Sequence, residues 1–291
     1  MEIFMNTTLL RYLAALLLFG SNGIIASYIL LNSYEIVFLR TLIGSVFLLL
    51  LFFCSRKKLT FYRKKTDFIY LSISGISMGT SWIFLYEAYT RIGVSIASLC
   101  YYCGPVIVMI LSPILFHEKL TSGKITGFLA VLSGIFLVNG YAGTTENHWG
   151  LFCGIASAFL YACMVIFNKK AAGITGLENT ILQLFTAFLT VSVFTCSKQG
   201  FSLHIPADSI LPILILGIVN TGIGCYLYFS AIDRISVQTV AICGYLEPLS
   251  AVLFSVLILH ETFLPLQVLG AVLIIGGAVL GELSGKRHRP Q

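Results

Sequence analysis

Ten stretches of this chain are long, apolar and nearly free of charge, and that feature limits what it can fold into. They cover residues 9–31, 35–54, 67–90, 93–116, 123–141, 149–167, 178–196, 208–231, 237–259 and 265–283. About 20 consecutive apolar residues suffice to cross the hydrocarbon core of a bilayer as an α-helix. Inside that core every backbone N–H and C=O must find a partner within the protein, which a helix provides. Composition agrees: 57% of the 291 residues are hydrophobic and 10% charged, against about 25% charged in a soluble domain. The expectation is an all-α membrane protein with ten transmembrane helices and no room for a soluble domain. The second run follows the first at once, without a small-residue cleavage pattern, so no cleaved signal peptide is expected.

Loop charge sets orientation. Arg56, Lys57, Lys58, Arg63, Lys64 and Lys65 follow the second run, Lys119 and Lys124 the fourth, Lys169 and Lys170 the sixth. Arg234 follows the eighth, and Lys286, Arg287 and Arg289 the tenth. If every run spans, all of these share one side, and lysine and arginine collect on the cytoplasmic side. Both termini are therefore expected in the cytoplasm of a cell (plasma or inner) membrane. The net charge of +6 is an orientation signal and not a nucleic-acid footprint, though basic tails can touch anionic lipid. The eight cysteines lie in or at the ends of apolar runs and read as small hydrophobes.

Sliding the chain by 143 residues superposes "AYTRIGVSIASLCYYCGPVIVMILSPILFHEKL" on "AIDRISVQTVAICGYLEPLSAVLFSVLILHETF" without a gap. Pro105 meets Pro248, Tyr102 meets Tyr245, Gly127 meets Gly270 and Gly134 meets Gly277. Each copy holds five runs, an odd number, so the second enters the membrane upside down. The expected organisation is a first five-helix repeat over 1–141, a second, inverted five-helix repeat over 149–283, and a basic cytoplasmic tail at 284–291. Inverted repeats are an architecture of secondary transporters, with the site near the midplane between the halves.

Several segments resemble the EamA type of the drug/metabolite transporter superfamily: "FGSN" at Phe19 to Asn22, "FLR" at Phe38 to Arg40, and the two blocks ending "P…HE" with glycines following. The resemblance covers essentially the whole chain. It implies transport of small metabolites, commonly amino acids, nucleobase-like compounds or related solutes, often outward.

The residues that can carry such work are few. Glu247 lies about ten residues into the ninth run, near the bilayer centre. A charge there costs about 2.5–3.5 kcal/mol on insertion scales, so such residues usually face a cavity. Its neighbours at helical spacing, Cys243, Gly244, Ser250 and Ala251, are small. Pro248 and its counterpart Pro105 cannot donate an N–H, which breaks the helix and frees a carbonyl. Glu247 is expected either to bind and release a proton or to hold a neighbouring helix by a hydrogen bond.

Arg40 and Glu87 lie at similar depth near the outer face. They either pair, or contact the charged ends of a solute, or serve structure, since Glu87 and Arg91 are also spaced i, i+4. Asn22, Ser77, Trp82 and Asn220 are mid-span. The asparagines would orient a ligand or cross-link helices. Tyr102 and Tyr245 sit too deep for an interfacial belt and suit a flat or cationic solute or core packing. Glu118 and Glu261 each follow a histidine at a helix end, where turn capping, pairing with loop cations and gate closure are all open.

No Ser/His/Asp set, paired aspartates or metal-ligand cluster stands in the spans, so neither an enzyme nor a metal site nor a cofactor is expected. No phosphate-binding loop of the Walker type argues for ATP-driven transport. The expected partners are a small-molecule substrate and the lipid bilayer, with no nucleic acid, and the protein a monomer or homodimer. A broad-specificity drug or organic-cation efflux protein, a uniporter, and a membrane sensor or scaffold are the alternatives.

Overall fold

A computed structural model describes residues 2–55, 59–139, 147–199, 205–259 and 265–286; the regular structure among these is helical, with no strand among them. The helices are α1 (Glu2–Gly20), α2 (Asn22–Ser27), α3 (Ser33–Cys54), α4 (Lys65–Tyr101), α5 (Gly104–Phe116), α6 (Ser122–Asn139), α7 (His148–Lys170), α8 (Gly176–Gln199) and α9 (Ala207–Ile215). A π-helical stretch, Leu216–Ile223, leads into α10 (Gly224–Ile232), followed by α11 (Val237–Gly244), α12 (Leu246–Leu259) and α13 (Pro265–Lys286). Thr7–Ser27, Ser33–Cys54, Lys65–Ile92, His148–Lys170, Gly176–Lys198 and Ala207–Ile232 are long and apolar enough to span a membrane, while Gly104–Phe116 and Val268–Gly281 are apolar but shorter.

Several of the apolar runs are thus not single straight helices. The first breaks at Ser21, between α1 and α2. The fourth breaks at Tyr102 and Cys103, just before Pro105, and the ninth at Tyr245, just before Pro248. Each proline sits in the first turn of the new helix, where its missing N–H would have had no partner and its fixed φ suits the start. The link expected between the third and fourth runs, at Arg91 and Ile92, is not a separate loop: helical backbone runs through it. It folds sharply all the same. A Cβ built on Gly154 would lie 2.7 Å from the Cys100 Cβ and 4.0 Å from that of Ala88, whereas twelve residues of straight helix separate two positions by about 18 Å.

The core is continuous and apolar. Tyr12, Leu16, Leu48, Phe229, Ile232, Ile274 and Tyr245 are all at most 2% exposed. The outward faces are apolar too: Phe53, Ile114, Val193, Leu211 and Leu257 are at least 67% exposed. Such a surface suits hydrocarbon and would be an association liability in water. A close seam joins α6 and α13, where a Cβ on Gly127 would lie 2.5 Å from the Gly277 carbonyl and one on Gly134 would lie 2.6 Å from that of Gly270. Only residues without a side chain let backbones meet so closely.

The end of the bundle that carries the lysine-rich loops is tied by charged side chains capping helix ends. His117 adopts a left-handed conformation (φ 54°) that closes α5. This turns Glu118 so that its carboxylate accepts from the Val237 and Gln238 amides at 2.8 and 3.1 Å. Ser236 Oγ accepts from the Thr239 amide at 3.1 Å. The first three amides of α11 are thereby satisfied, with a negative charge at the positive end of the helix dipole. Capping is thus the geometry of Glu118; Glu261 lies outside the described residues. Glu118→Ala is expected to cost about 1–2 kcal/mol, read as a lower melting midpoint of the detergent-solubilised protein. An unchanged midpoint would mean that the carboxylate contributes nothing there.

At the other terminus of this junction, Lys169 Nζ donates to the carbonyls of Ile232, Asp233 and Ile235 at 2.8, 3.0 and 2.6 Å. The Asp233 carboxylate is less well served. Both oxygens are buried and neither makes a hydrogen bond among the described residues. Burial pushes its pKa up to about 7, with Lys169, Arg234 and the nearby Gly176 amide offsetting only part of the cost. The folded protein therefore holds this proton more tightly than the unfolded chain. Its stabilising contribution is complete below the ordinary value of 3.8 and is lost as pH rises toward about 7. Asp233→Asn is expected to raise the melting midpoint at pH 8 and leave it nearly unchanged at pH 4. An equal shift at both values would contradict the assignment.

Candidate functional site

The helix breaks converge on one region. Glu247, in the first turn of α12, keeps accessible surface although it lies deep in the bundle, and its carboxylate forms no ion pair or hydrogen bond among the described residues. The expected alternative, a glutamate fixed to a neighbouring helix by a hydrogen bond, is not the geometry found. The charge that acts on it is Arg40, yet no nitrogen of Arg40 comes within 4.0 Å of its oxygens. Tyr12, Tyr101, Tyr102 and Tyr161 also lie within its electrostatic reach.

Those tyrosines belong to a chain of touching rings drawn from most of the central helices. Phe19 meets Tyr228 at 5.8 Å between centroids, and Tyr228 meets Tyr12 at 5.2 Å. The Tyr228 hydroxyl lies 3.4 Å from that of Tyr161, and the Tyr161 ring stands edge-on to Tyr101 at 5.5 Å. Tyr101 leads to Tyr102 at 6.0 Å, and Tyr102 to Tyr245 at 6.4 Å. The Tyr245 hydroxyl donates to the Tyr102 carbonyl at 2.7 Å, a carbonyl that the break in the fourth run leaves without a regular helical course. Gly244 borders this wall: a Cβ there would make ordinary contact, 3.6 Å from the Tyr12 hydroxyl and 3.7 Å from that of Tyr161.

The remaining candidates separate into two groups. Arg40 is 6% exposed; its Nε donates to Thr221 Oγ1 at 3.0 Å and its guanidinium lies 4.8 Å over the Trp82 ring. The π-helical turn places that hydroxyl, since Thr221 Oγ1 donates to the carbonyl of Leu216, five residues back, at 2.8 Å. Arg40 and Glu87 are not brought together. Glu87 instead accepts from the Tyr34 hydroxyl and, at 3.1 Å, from Arg91 Nε. Equal depth along two helices says nothing about which way each faces, and these two face different neighbours. Ser77 is buried at 6% exposure. Asn220 donates from Nδ2 to the Leu18 carbonyl at 2.7 Å, Ser21 Oγ at 2.8 Å and Asn22 Oδ1 at 2.9 Å. This is the cross-linking arrangement: Asn220 fastens the π-helical turn to the break in the first span.

A family model described as "EamA-like transporter family" matches residues 6–140 and again 148–281. The chain belongs to the EamA-like transporter family. It is therefore a multi-pass membrane transporter of the drug/metabolite transporter superfamily. Among its relatives, "Uncharacterized transporter YxxF" of Bacillus subtilis (strain 168) is 25% identical over 94% of this chain and 89% of its own length. "Uncharacterized inner membrane transporter YicL" of Salmonella typhimurium (strain LT2) is 23% identical over 96% of both. "Probable amino-acid metabolite efflux pump" of the same strain is 27% identical over 67% of this chain and 69% of its own. A solved structure described as "Crystal structure of protein" superposes with a TM-score of 0.83 at 18% identity, over 96% of this chain and 99% of that one, a likeness of fold.

Three contributors to the site were not among the candidates read from the sequence. Phe19 enters the sequence reading only as part of the "FGSN" segment. Neither Tyr12 nor Tyr228 stands out singly; the signal that could have found Tyr12 is its helical spacing with Ala15 and Leu16, which are buried, and Phe19, which is partly buried.

Proposed function

We propose that this EamA protein is a secondary transporter that exports small metabolites such as amino acids or related amphipathic solutes, alternating access between two inverted five-helix repeats and coupled to protons through Glu247. The observation that carries the reading is the Glu247 carboxylate, unpaired and partly accessible beside a helix break, facing a wall of tyrosines and an arginine it does not touch. Half-helices and freed carbonyls at mid-membrane are how such folds build solute sites. The repeat reading is supported by contacts between residues offset by 143 positions: the Tyr245 hydroxyl meets the carbonyl of its counterpart Tyr102. Gly127 and Gly134 cross Gly277 and Gly270 reciprocally, as a two-fold arrangement requires. The two separate matches of one family model agree with it. Export is supported by the name of one relative, and cytoplasmic termini by the lysine and arginine in the loops.

The aromatic wall with a lone carboxylate also favours a second reading, efflux of organic cations. Uptake of labelled amino acids, amines and nucleobases into proteoliposomes, with and without a pH gradient, separates the two. At least one amino acid moving saturably is expected; movement of amines alone would select the second reading, and no movement of any solute would set both aside.

A further inference from the structure

Resting on the central site proposed above, we infer that Arg40 is the residue that reads a carboxylate on the transported solute, so that carboxylate-bearing molecules are selected over their amides and amines.

A guanidinium in the interior of a membrane bundle is expensive and persists where it has partners or a wet face. Arg40 is 94% removed from solvent, and two contacts hold it: the Nε bond to Thr221 and the Trp82 face. Both engage one edge and one face of the planar group. The fork of the two terminal amino groups makes no hydrogen bond among the described residues, and neither nitrogen is among the fully buried unpartnered atoms. The fork therefore reaches accessible space. Two parallel N–H donors on a rigid fork match a carboxylate in a two-point contact.

The natural internal partner is Glu247, and it is not used: the two charges act on one another without approaching to 4.0 Å. An arginine whose role was only to neutralise Glu247 would gain by closing that distance in a low-dielectric interior. Both contacts that hold Arg40 fix it instead. Trp82 covers one face, and Thr221 has its own hydroxyl proton committed to the Leu216 carbonyl, leaving its lone pair for Nε. The side chain is thus aimed before any ligand arrives, which reduces the ordering cost of binding.

The chain carries two tryptophans, Trp82 and Trp149, and Trp149 is exposed at the end of α7 away from this site. In full-length Trp149→Phe protein, Trp82 fluorescence therefore reports directly on the guanidinium above it. The probes are leucine, phenylalanine, lysine and 4-methylpentanoate, each titrated beside its amide. At least one carboxylate is expected to change Trp82 emission saturably while its amide does not. Arg40→Gln should weaken that response roughly 10- to 100-fold, the range for lost hydrogen bonds to a charged group. Thr221→Val, which keeps the charge but releases Nε, should weaken it less and narrow the preference for the acid over the amide. It also serves as the folded reference if Arg40→Gln is unstable.

Acids and amides acting alike, or no carboxylate acting at all, would overturn the inference. Transport of solutes by wild type without carboxylate preference would also overturn it while leaving the transporter reading intact. Selective Trp82 responses with no transport of any solute would uphold Arg40 and count against secondary transport.

Discussion

Leucine at Gly277 is expected to leave little or no folded protein, whereas leucine at Gly276, one residue earlier on α13, is expected to be tolerated. A Cβ at 277 would sit 2.5 Å from the Gly127 carbonyl oxygen and 3.0 Å from the Val131 amide nitrogen. Those are backbone atoms of α6, and a helix cannot yield locally the way a side-chain tip can. The two helices would have to separate along the seam, losing the matching contact of Gly134 with Gly270 as well. Overpacking usually costs roughly 1–3 kcal/mol; a clash with the backbone of the facing helix belongs at or above the top of that range. Folded proteins hold only about 5–15 kcal/mol in total. At Gly276 a Cβ would meet nothing within 4 Å, and a better helix former recovers up to about 1 kcal/mol of propensity. The check is the yield of monodisperse protein and its melting midpoint for the two variants side by side. Equal behaviour would mean that the α6–α13 seam is not close-packed.

Much of this architecture is legible because membranes restrict the vocabulary. Apolar runs find the helices, and the prolines at 105 and 248 mark the breaks within a turn. Glu247 stands out because a carboxylate amid apolar residues has few uses. What the sequence does not reveal is rotation about each helix axis. Arg40 and Glu87 share a level, yet one faces Thr221 and Trp82 and the other Tyr34 and Arg91. Long polar side chains choose partners by azimuth, which neither spacing nor hydropathy encodes when a helix is apolar on all sides.

Two local features escape for a different reason. The π-helical turn at Leu216–Ile223 adds one residue to a helical turn at no visible compositional cost. It is nonetheless what sets Thr221 and Asn220 in place. The segment "TRIG" resembles "DRIS", which is a true turn between α10 and α11, but its backbone stays helical while folding back. The tyrosine wall is legible only in part: Tyr102 and Tyr245 stand out by their depth in the spans, whereas Tyr12 and Tyr228 do not. Those two come from different spans, and only the packing of the spans brings them to one surface.

The claim at the centre of this account is that Glu247 serves transport and not the fold. Glutamine keeps the size and polarity of the side chain and removes the titratable charge. Since the carboxylate makes no hydrogen bond among the described residues, Glu247→Gln should leave expression and melting close to wild type. Its effect should fall on energy coupling. A gradient of about one pH unit is worth about 1.4 kcal/mol for each proton exchanged, enough for about a tenfold accumulation. Reconstituted wild type should build such a gradient of any solute it carries, while Glu247→Gln should exchange that solute across the membrane without accumulating it. The deciding measurement is the steady-state accumulation ratio of one carried solute under an imposed pH gradient, in wild-type and Glu247→Gln proteoliposomes. A ratio near ten in the first and near one in the second is the predicted result; equal accumulation in both would make Glu247 a structural residue and contradict the account.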